Sequence, residues 1–317
     1  MNAADLLAHI SRQWGLERVR WREDLPLAGS PERTSWRCVV ESCDGRLYVL
    51  EKIASRVYSR KRRILSTLQQ LDAFGLRPLA PYLPDTTGET IPLVDHGLWQ
   101  LCPYVAGIDL DRPAYAMEKW RGDAAADFLI RLNGICSQHR LTPSPPVFSL
   151  SDYIRDLFAV LSKNEPATAT RYLPFLDHLE RNLFPTMDKL PLGFCHGDYH
   201  PLNIIWGERT IRAVIDWEFC GIKTEAYDVA NLIGCLGMED PSSLSGPFVS
   251  RLVHRLRDSG IYAEESWKAL PDLILAIRFA WLSEWMRKND RPMIRMEADY
   301  LSLLLDRGPE LQSLCLR

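Results

Sequence analysis

The hydrophobic pattern changes period near residue 100, and that change constrains the fold more than any other feature of the 317-residue chain. Before it, short β-branched and aromatic runs are separated by turn residues, which is the signature of strands. After it, apolar residues recur every three or four positions over long stretches, as in helices packed on one face. A chain so patterned predicts an α+β arrangement: a small β-rich N-terminal lobe with one main helix, then a large, mainly helical C-terminal lobe. With 46% apolar residues, both can build a core.

Ser35-Trp36-Arg37-Cys38-Val39-Val40 and Arg46-Leu47-Tyr48-Val49-Leu50-Glu51-Lys52-Ile53 read as strands joined by a tight turn at Cys43-Asp44-Gly45. Val57, Ile64, Leu65, Leu68 and Leu71 then recur at helical spacing, and Gly75 is placed to stop that helix. Residues 89–93 and 98–101 read as further short strands, and Pro103-Tyr104-Val105-Ala106-Gly107 as a connection. These signals predict an N-terminal lobe over 1–102, a hinge over 103–107 and a C-terminal lobe over 108–317. Helices are expected there near 115–139, 150–163, 170–189, 227–236, 248–259, 271–288 and 296–306.

The net charge of −3 gives no footprint for nucleic acid or an anionic membrane, and the run Arg60-Lys61-Arg62-Arg63 reads as a solvated helix face. Eight scattered cysteines form no C-x-x-C pair, the usage of free thiols in a reducing compartment. An early acid, Asp5, and the lack of a long apolar run speak against a leader or a membrane span. The expectation is a cytoplasmic protein without nucleic-acid or membrane partners.

Between the helical stretches lies an island of strand and loop, Phe194-Cys195-His196-Gly197-Asp198-Tyr199-His200-Pro201-Leu202-Asn203-Ile204-Ile205-Trp206, continuing to Ala213-Val214-Ile215-Asp216-Trp217-Glu218. Two apolar runs joined through Gly207 predict a β-hairpin with Asn203 at its entry and Asp216 at its exit. Phosphoryl transfer needs metal to neutralise phosphate oxygens and a carboxylate to orient the attacking hydroxyl. An Asp, an Asn five residues on and a second Asp after a hairpin fit that need and the kinase pattern of catalytic loop and metal-binding Asp. The Arg and Phe-Gly of ordinary protein kinases are absent. Upstream, Lys52 near the end of a strand is the candidate for the α- and β-phosphates. Leu27-Ala28-Gly29-Ser30 makes Gly29 a candidate for a phosphate-facing loop, though one glycine is poor material for it.

His196-Gly197-Asp198-x-His200-x-x-Asn203, with Ile215-Asp216-Trp217-Glu218 and Asp228-Val229-Ala230, resembles the aminoglycoside phosphotransferase family, which takes in choline, homoserine and methylthioribose kinases. The resemblance implies a bilobal protein-kinase-like fold over nearly the whole chain, with nucleotide between the lobes. It implies ATP or GTP as co-substrate, Mg2+ as cofactor and a small-molecule hydroxyl acceptor such as an amino alcohol, aminoglycoside or homoserine-like compound. Asp198 becomes the catalytic base or hydroxyl-orienting group, and Asn203 and Asp216 the magnesium ligands. His196 and Asp228 become supports of the loop, and Glu218 a substrate or metal contact or an exposed carboxylate. The family pairs its strand lysine with a helix glutamate, yet residues 54–71 contain no acid, which leaves Gln69 or Gln70 to accept from Lys52.

Two rival readings follow. His196-x-Asp198-x-His200 places three metal-binding residue types at alternate positions, as a metal-dependent hydrolase would need. The missing helix acid suits a catalytically silent kinase-like protein. For the acceptor, Trp281 and Trp285 with Glu284 between them, and Trp267 nearby, could form a cage for an alkylammonium group, but Leu273, Ile274, Leu275, Ile277, Phe279, Leu282 and Met286 leave little polar face and favour a plain core-facing helix.

Overall fold

The structure, a computed structural model, describes residues 3–27, 35–142 and 144–316. It divides into two compact units: one holds the described parts of Met1–Asp109 with Ser137–Pro145 and Leu202–Glu218, the other Leu110–Cys136, Pro146–Pro201 and Phe219–Arg317.

The first unit is built on a five-stranded antiparallel sheet in the order β1-β2-β3-β5-β4, from β1 (Arg20–Trp21), β2 (Trp36–Glu41), β3 (Leu47–Ile53), β4 (Leu93–Val94) and β5 (Gly97–Pro103). Asp44-Gly45 makes the β2–β3 turn, where Asp44 Oδ1 accepts the Arg46 N–H at 3.1 Å. One face of the sheet packs on α1 (Ala3–Trp14): Ile10 and Trp14 join Val40, Tyr48, Leu50, Trp99 and Leu101 in a core cluster. The other face meets α2 (Tyr58–Ala73), with Leu65 packed on Ile53. Gly75, at φ +87°, ends that helix, and the Leu76 N–H returns to the Leu71 carbonyl at 2.9 Å. Of the expected strand over 89–93 only Leu93 pairs, together with Val94 just beyond it; Pro92 has no N–H to offer a ladder. A hairpin of β7 (Ile204–Trp206) and β8 (Ile211–Val214) belongs to the same unit.

The second unit is mainly helical: α3 (Lys119–Gln138, whose last residues fall in the first unit), α4 (Leu150–Asn164), α5 (Pro166–Asn182), α6 (Phe184–Met187), α7 (Tyr227–Glu239), α8 (Pro247–Ser259), α9 (Glu264–Lys288), α10 (Arg291–Asp306) and α11 (Gly308–Cys315), with a β6 (Leu192–Cys195) and β9 (Gly221–Thr224) pair. Its centre is α7 against α9, and α9 against α10. Arg278 on α9 reaches Glu297 on α10 through two hydrogen bonds of 2.6 and 2.7 Å, and Trp285 donates to the same carboxylate at 3.0 Å. Both charged side chains are buried, so each neutralises a cost the other would otherwise impose. Helix α9 starts at Glu264, seven residues before the predicted start. Glu225 anchors that earlier turn by accepting from the Ala263 N–H and the Ser266 hydroxyl. Among the described residues no helix is long and apolar enough to cross a membrane. No disulfide joins any two of the eight cysteines; Cys195 and Cys315 are buried and Cys43 is exposed.

Candidate active site

β6 delivers the chain into His196-Gly197-Asp198, and the loop it enters is held from several sides. Gly197 adopts φ +84°, and a Cβ there would lie 2.2 Å from the Phe219 carbonyl oxygen, so no other residue fits without displacement. Asp228, in the first turn of α7, accepts the His196 N–H at 2.7 Å on Oδ2 and the Gly197 N–H at 2.8 Å on Oδ1. Burial pushes the Asp228 carboxyl up from 3.8 to about 6, against the two N–H donors, which favour the ionised form. His196 is fully buried, and its Nδ1 faces the Asp198 N–H at 3.2 Å. Further along, Asn231 donates to the Tyr199 carbonyl at 3.2 Å. Asp198, between these anchors, keeps 19% of its side chain exposed, with Oδ1 3.8 Å from His200 Nε2. The loop is a rigid mount for one partly exposed carboxylate.

The hairpin carries the other two oxygen-bearing groups, within the first unit. Asn203 ends the short turn Pro201–Asn203 that feeds β7, and Asp216 follows β8. Their positions meet at the open end of the hairpin, because the Asn203 carbonyl accepts the Ile215 N–H at 2.9 Å. Asp216 holds φ +61°, a conformation costly for a residue with a Cβ and typical of sites where function sets the backbone. An amide oxygen and a carboxylate are hard donors of the kind magnesium takes, so this end of the hairpin fits a divalent ion.

Glu218 is not the exposed carboxylate allowed for by the sequence: it is buried in the turn Trp217–Phe219 and forms an ion pair with Lys61 of α2. Arg60 adds a contact of 3.7 Å and donates to the Glu218 carbonyl. The expectation of a solvated face over Arg60-Lys61-Arg62-Arg63 is therefore corrected at Lys61, which is 5% exposed. The signal was present: Lys61 stands three and four residues before Ile64 and Leu65 and seven before Leu68, on the stripe that faces the core.

Lys52 and Glu51 lie on opposite faces of β3, as alternation requires, and Lys52 is not the one that faces α2. Lys52 shares the side of Leu50 and Tyr48, with its ammonium 5.6 Å from the centroid of the Trp99 ring. Glu51 shares the side of Ile53, toward α2, and accepts from Tyr82 Oη at 3.1 Å and from Gln100 Nε2. Nor is Gln70 the substitute partner, since it exchanges hydrogen bonds with the Thr142 backbone at 2.7 and 2.9 Å. Gly29 lies outside the described residues.

The residues weighed as an aromatic cage do not act as one group. Trp267 is 2% exposed and packs with Tyr262. Glu284 is bound by Arg287 at 2.6 Å and Lys288 at 3.2 Å, and the Arg287 hydrogen bond draws its carboxyl down to about 2. Trp281 donates to Asn231 at 3.2 Å and stands edge-on to His200, at 5.5 Å between centroids. The indole thus borders the loop of Asp198, a neighbour that spacing alone did not reveal. The hydrolase reading finds no support: His196 is sealed in the core, and among the described residues no group of three or more His, Cys, Asp or Glu is placed to hold a metal ion.

Comparison with known proteins places the chain among phosphotransferases. A homoserine kinase of Phenylobacterium zucineum (strain HLK1) is 23% identical over 262 residues, 77% of this chain and 78% of that protein. Among solved structures, the amicoumacin kinase hAmiN, in complex with AMP-PNP, Ca2+ and Ami, superposes with a TM-score of 0.66 at 13% identity, covering 99% of this chain and 94% of its own. The GDP complex of wild-type aminoglycoside 2'-phosphotransferase-IIIa gives 0.63 at 16% identity, covering 98% and 99%. The fold is protein-kinase-like, β sheet in the N-terminal part and helical beyond. Residues 35–267 match the family described as phosphotransferase enzymes, and with most of its length inside that match the chain belongs to the phosphotransferase enzyme family, whose kinase-like members act on hydroxyl groups of small molecules.

Proposed function

We propose that this protein transfers the γ-phosphate of ATP or GTP to a hydroxyl of a small acceptor in the amino alcohol class, which includes homoserine and the aminoglycosides. The observation that carries the reading is the open end of the β7–β8 hairpin, where Asn203 and Asp216 sit at adjacent backbone positions and Asp216 holds a strained φ. Asn203 and Asp216 would hold magnesium, which when bound neutralises charge on the phosphate oxygens. Asp198 orients the acceptor hydroxyl and takes its proton as the new bond to phosphorus forms and the bond from the γ-phosphorus to the bridging oxygen breaks, releasing ADP or GDP. Asp228 and His196 keep the loop in register so that one carboxylate meets the acceptor at a fixed angle. The relatives support nucleotide and acceptor classes by name: one acts on homoserine, and others are crystallised with AMP-PNP and Ca2+ or with GDP. Eight cysteines with no disulfide among them suit the reducing cytoplasm, where nucleoside triphosphates and magnesium are abundant.

The placement of Lys52 beside Trp99 favours one competing reading, a kinase-like protein that no longer turns over. A screen decides between them. Incubated with magnesium and ATP or GTP, the protein should convert at least one member of a panel of amino alcohols, aminoglycosides, homoserine and sugars to a product heavier by one phosphoryl group. No product from any acceptor with either nucleotide would leave the silent reading standing.

A further inference from the structure

In the kinase pattern a lysine on the strand before the first-lobe helix binds the α- and β-phosphates, and a glutamate on that helix holds the lysine in place. This chain carries the two charges the other way round. On the α2 side of β3 stands Glu51, and on the facing stripe of α2 stands Lys61. The two belong to one buried group. The Cys102 thiol, pushed up chiefly by burial, is raised further by Glu51 and lowered by Lys61; the Tyr82 phenol, also raised chiefly by burial, responds to both Glu51 and Glu218. Lys52, by contrast, lies across the sheet with Trp99 and the α1 core cluster.

We propose that Lys61 of α2, and not Lys52 of β3, is the cation that binds the phosphates of the nucleotide, an inference that rests on the kinase reading above. Three observations carry it. Lys61 is joined to Glu218, two residues from the proposed magnesium ligand Asp216, so its ammonium is tied to the segment where the phosphates would be neutralised. Glu218 takes over the part the helix glutamate plays elsewhere: it holds the lysine aimed while occupying one of three N–H donors. Glu51 cannot bind phosphate, and its carboxylate is held by Tyr82 and Gln100. A buried lysine–glutamate pair is moreover a poor device for stability, because apolar residues of similar volume often do as well or better, so a role in binding accounts for its presence where packing does not. The stretch 54–71 lacks an acid because the acid and the base have exchanged elements.

The test is a titration of adenosine, AMP, ADP and ATP, with magnesium, by calorimetry on the full chain. Lys61→Met alone would strand the buried Glu218, so the informative variant is Lys61→Met/Glu218→Gln, judged alongside Lys52→Ala. The double variant should lose about tenfold or more in affinity for ADP and ATP while adenosine binds within about twofold of the parent protein, since one charge-assisted contact to phosphate is lost. Lys52→Ala should hold ADP and ATP affinity within about twofold. A double variant that melts like the parent yet binds ATP equally well overturns the proposal. So does a tenfold loss in Lys52→Ala, a result that stands even where the double variant fails to fold. If the parent protein binds no nucleotide at all, the kinase reading itself has failed, and a normal parent titration separates that outcome from failure of the lysine assignment.

Discussion

Asp228→Asn isolates the balance of forces under the loop that carries Asp198. The carboxylate is drawn toward ionisation by two backbone N–H groups at 2.7 and 2.8 Å and away from it by burial, and burial wins, with the carboxyl rising from 3.8 to about 6. Folded protein therefore holds this proton to higher pH than unfolded protein does. The stability it contributes is fully present below the unfolded value and is lost as pH rises through about 6. At 1.36 kcal/mol per decade the whole loss is about 3 kcal/mol, of which about 2 kcal/mol falls between about pH 4 and about pH 7. Asparagine keeps the shape but does not titrate, and it leaves one N–H without its oxygen, a cost of about 1–3 kcal/mol that is the same at every pH. Urea denaturation of both proteins across that range gives the difference curve. The stability advantage of the parent should shrink by about 2 kcal/mol as pH rises. A flat difference would refute the burial argument, and an advantage that grows with pH would mean that the two N–H donors dominate.

Gly197→Ala places a Cβ 2.2 Å from the Phe219 carbonyl oxygen at φ +84°, so it should cost about 2 kcal/mol or more and lower the melting temperature by several degrees. An unchanged melting temperature would mean that the loop has room it lacks in the structure. Asp216→Ala should chiefly weaken the magnesium-dependent part of ATP binding, measured as the ratio of affinities with and without the ion. An unchanged ratio would remove Asp216 from the metal site.

The hairpin flanked by Asn203 and Asp216 was legible because two apolar runs bracket a turn, and the polar residues fall at its open end. The β2–β3 turn was equally plain from Asp44-Gly45. What escaped was of a different kind. Helix α1 is amphipathic, with Ile10 and Trp14 buried four residues apart, a helical spacing overshadowed by the strand signals that follow it. Lys61 escaped because its charge hides its place on an apolar stripe, and burial of a charge becomes intelligible only once its partner, more than 150 residues away in Glu218, is known. The orientation of β3 escaped for a similar reason. Alternation shows that Glu51 and Lys52 face opposite ways, but only packing on α1 and α2 tells which way is which.

The most direct measurement follows the γ-phosphate by phosphorus NMR, with ATP, magnesium and an acceptor, in the parent protein and in Asp198→Ala. The account predicts a new phosphomonoester signal from the parent, and in the variant a rate lower by about a hundredfold or more with ATP affinity retained. Transfer at the parent rate in Asp198→Ala would contradict it.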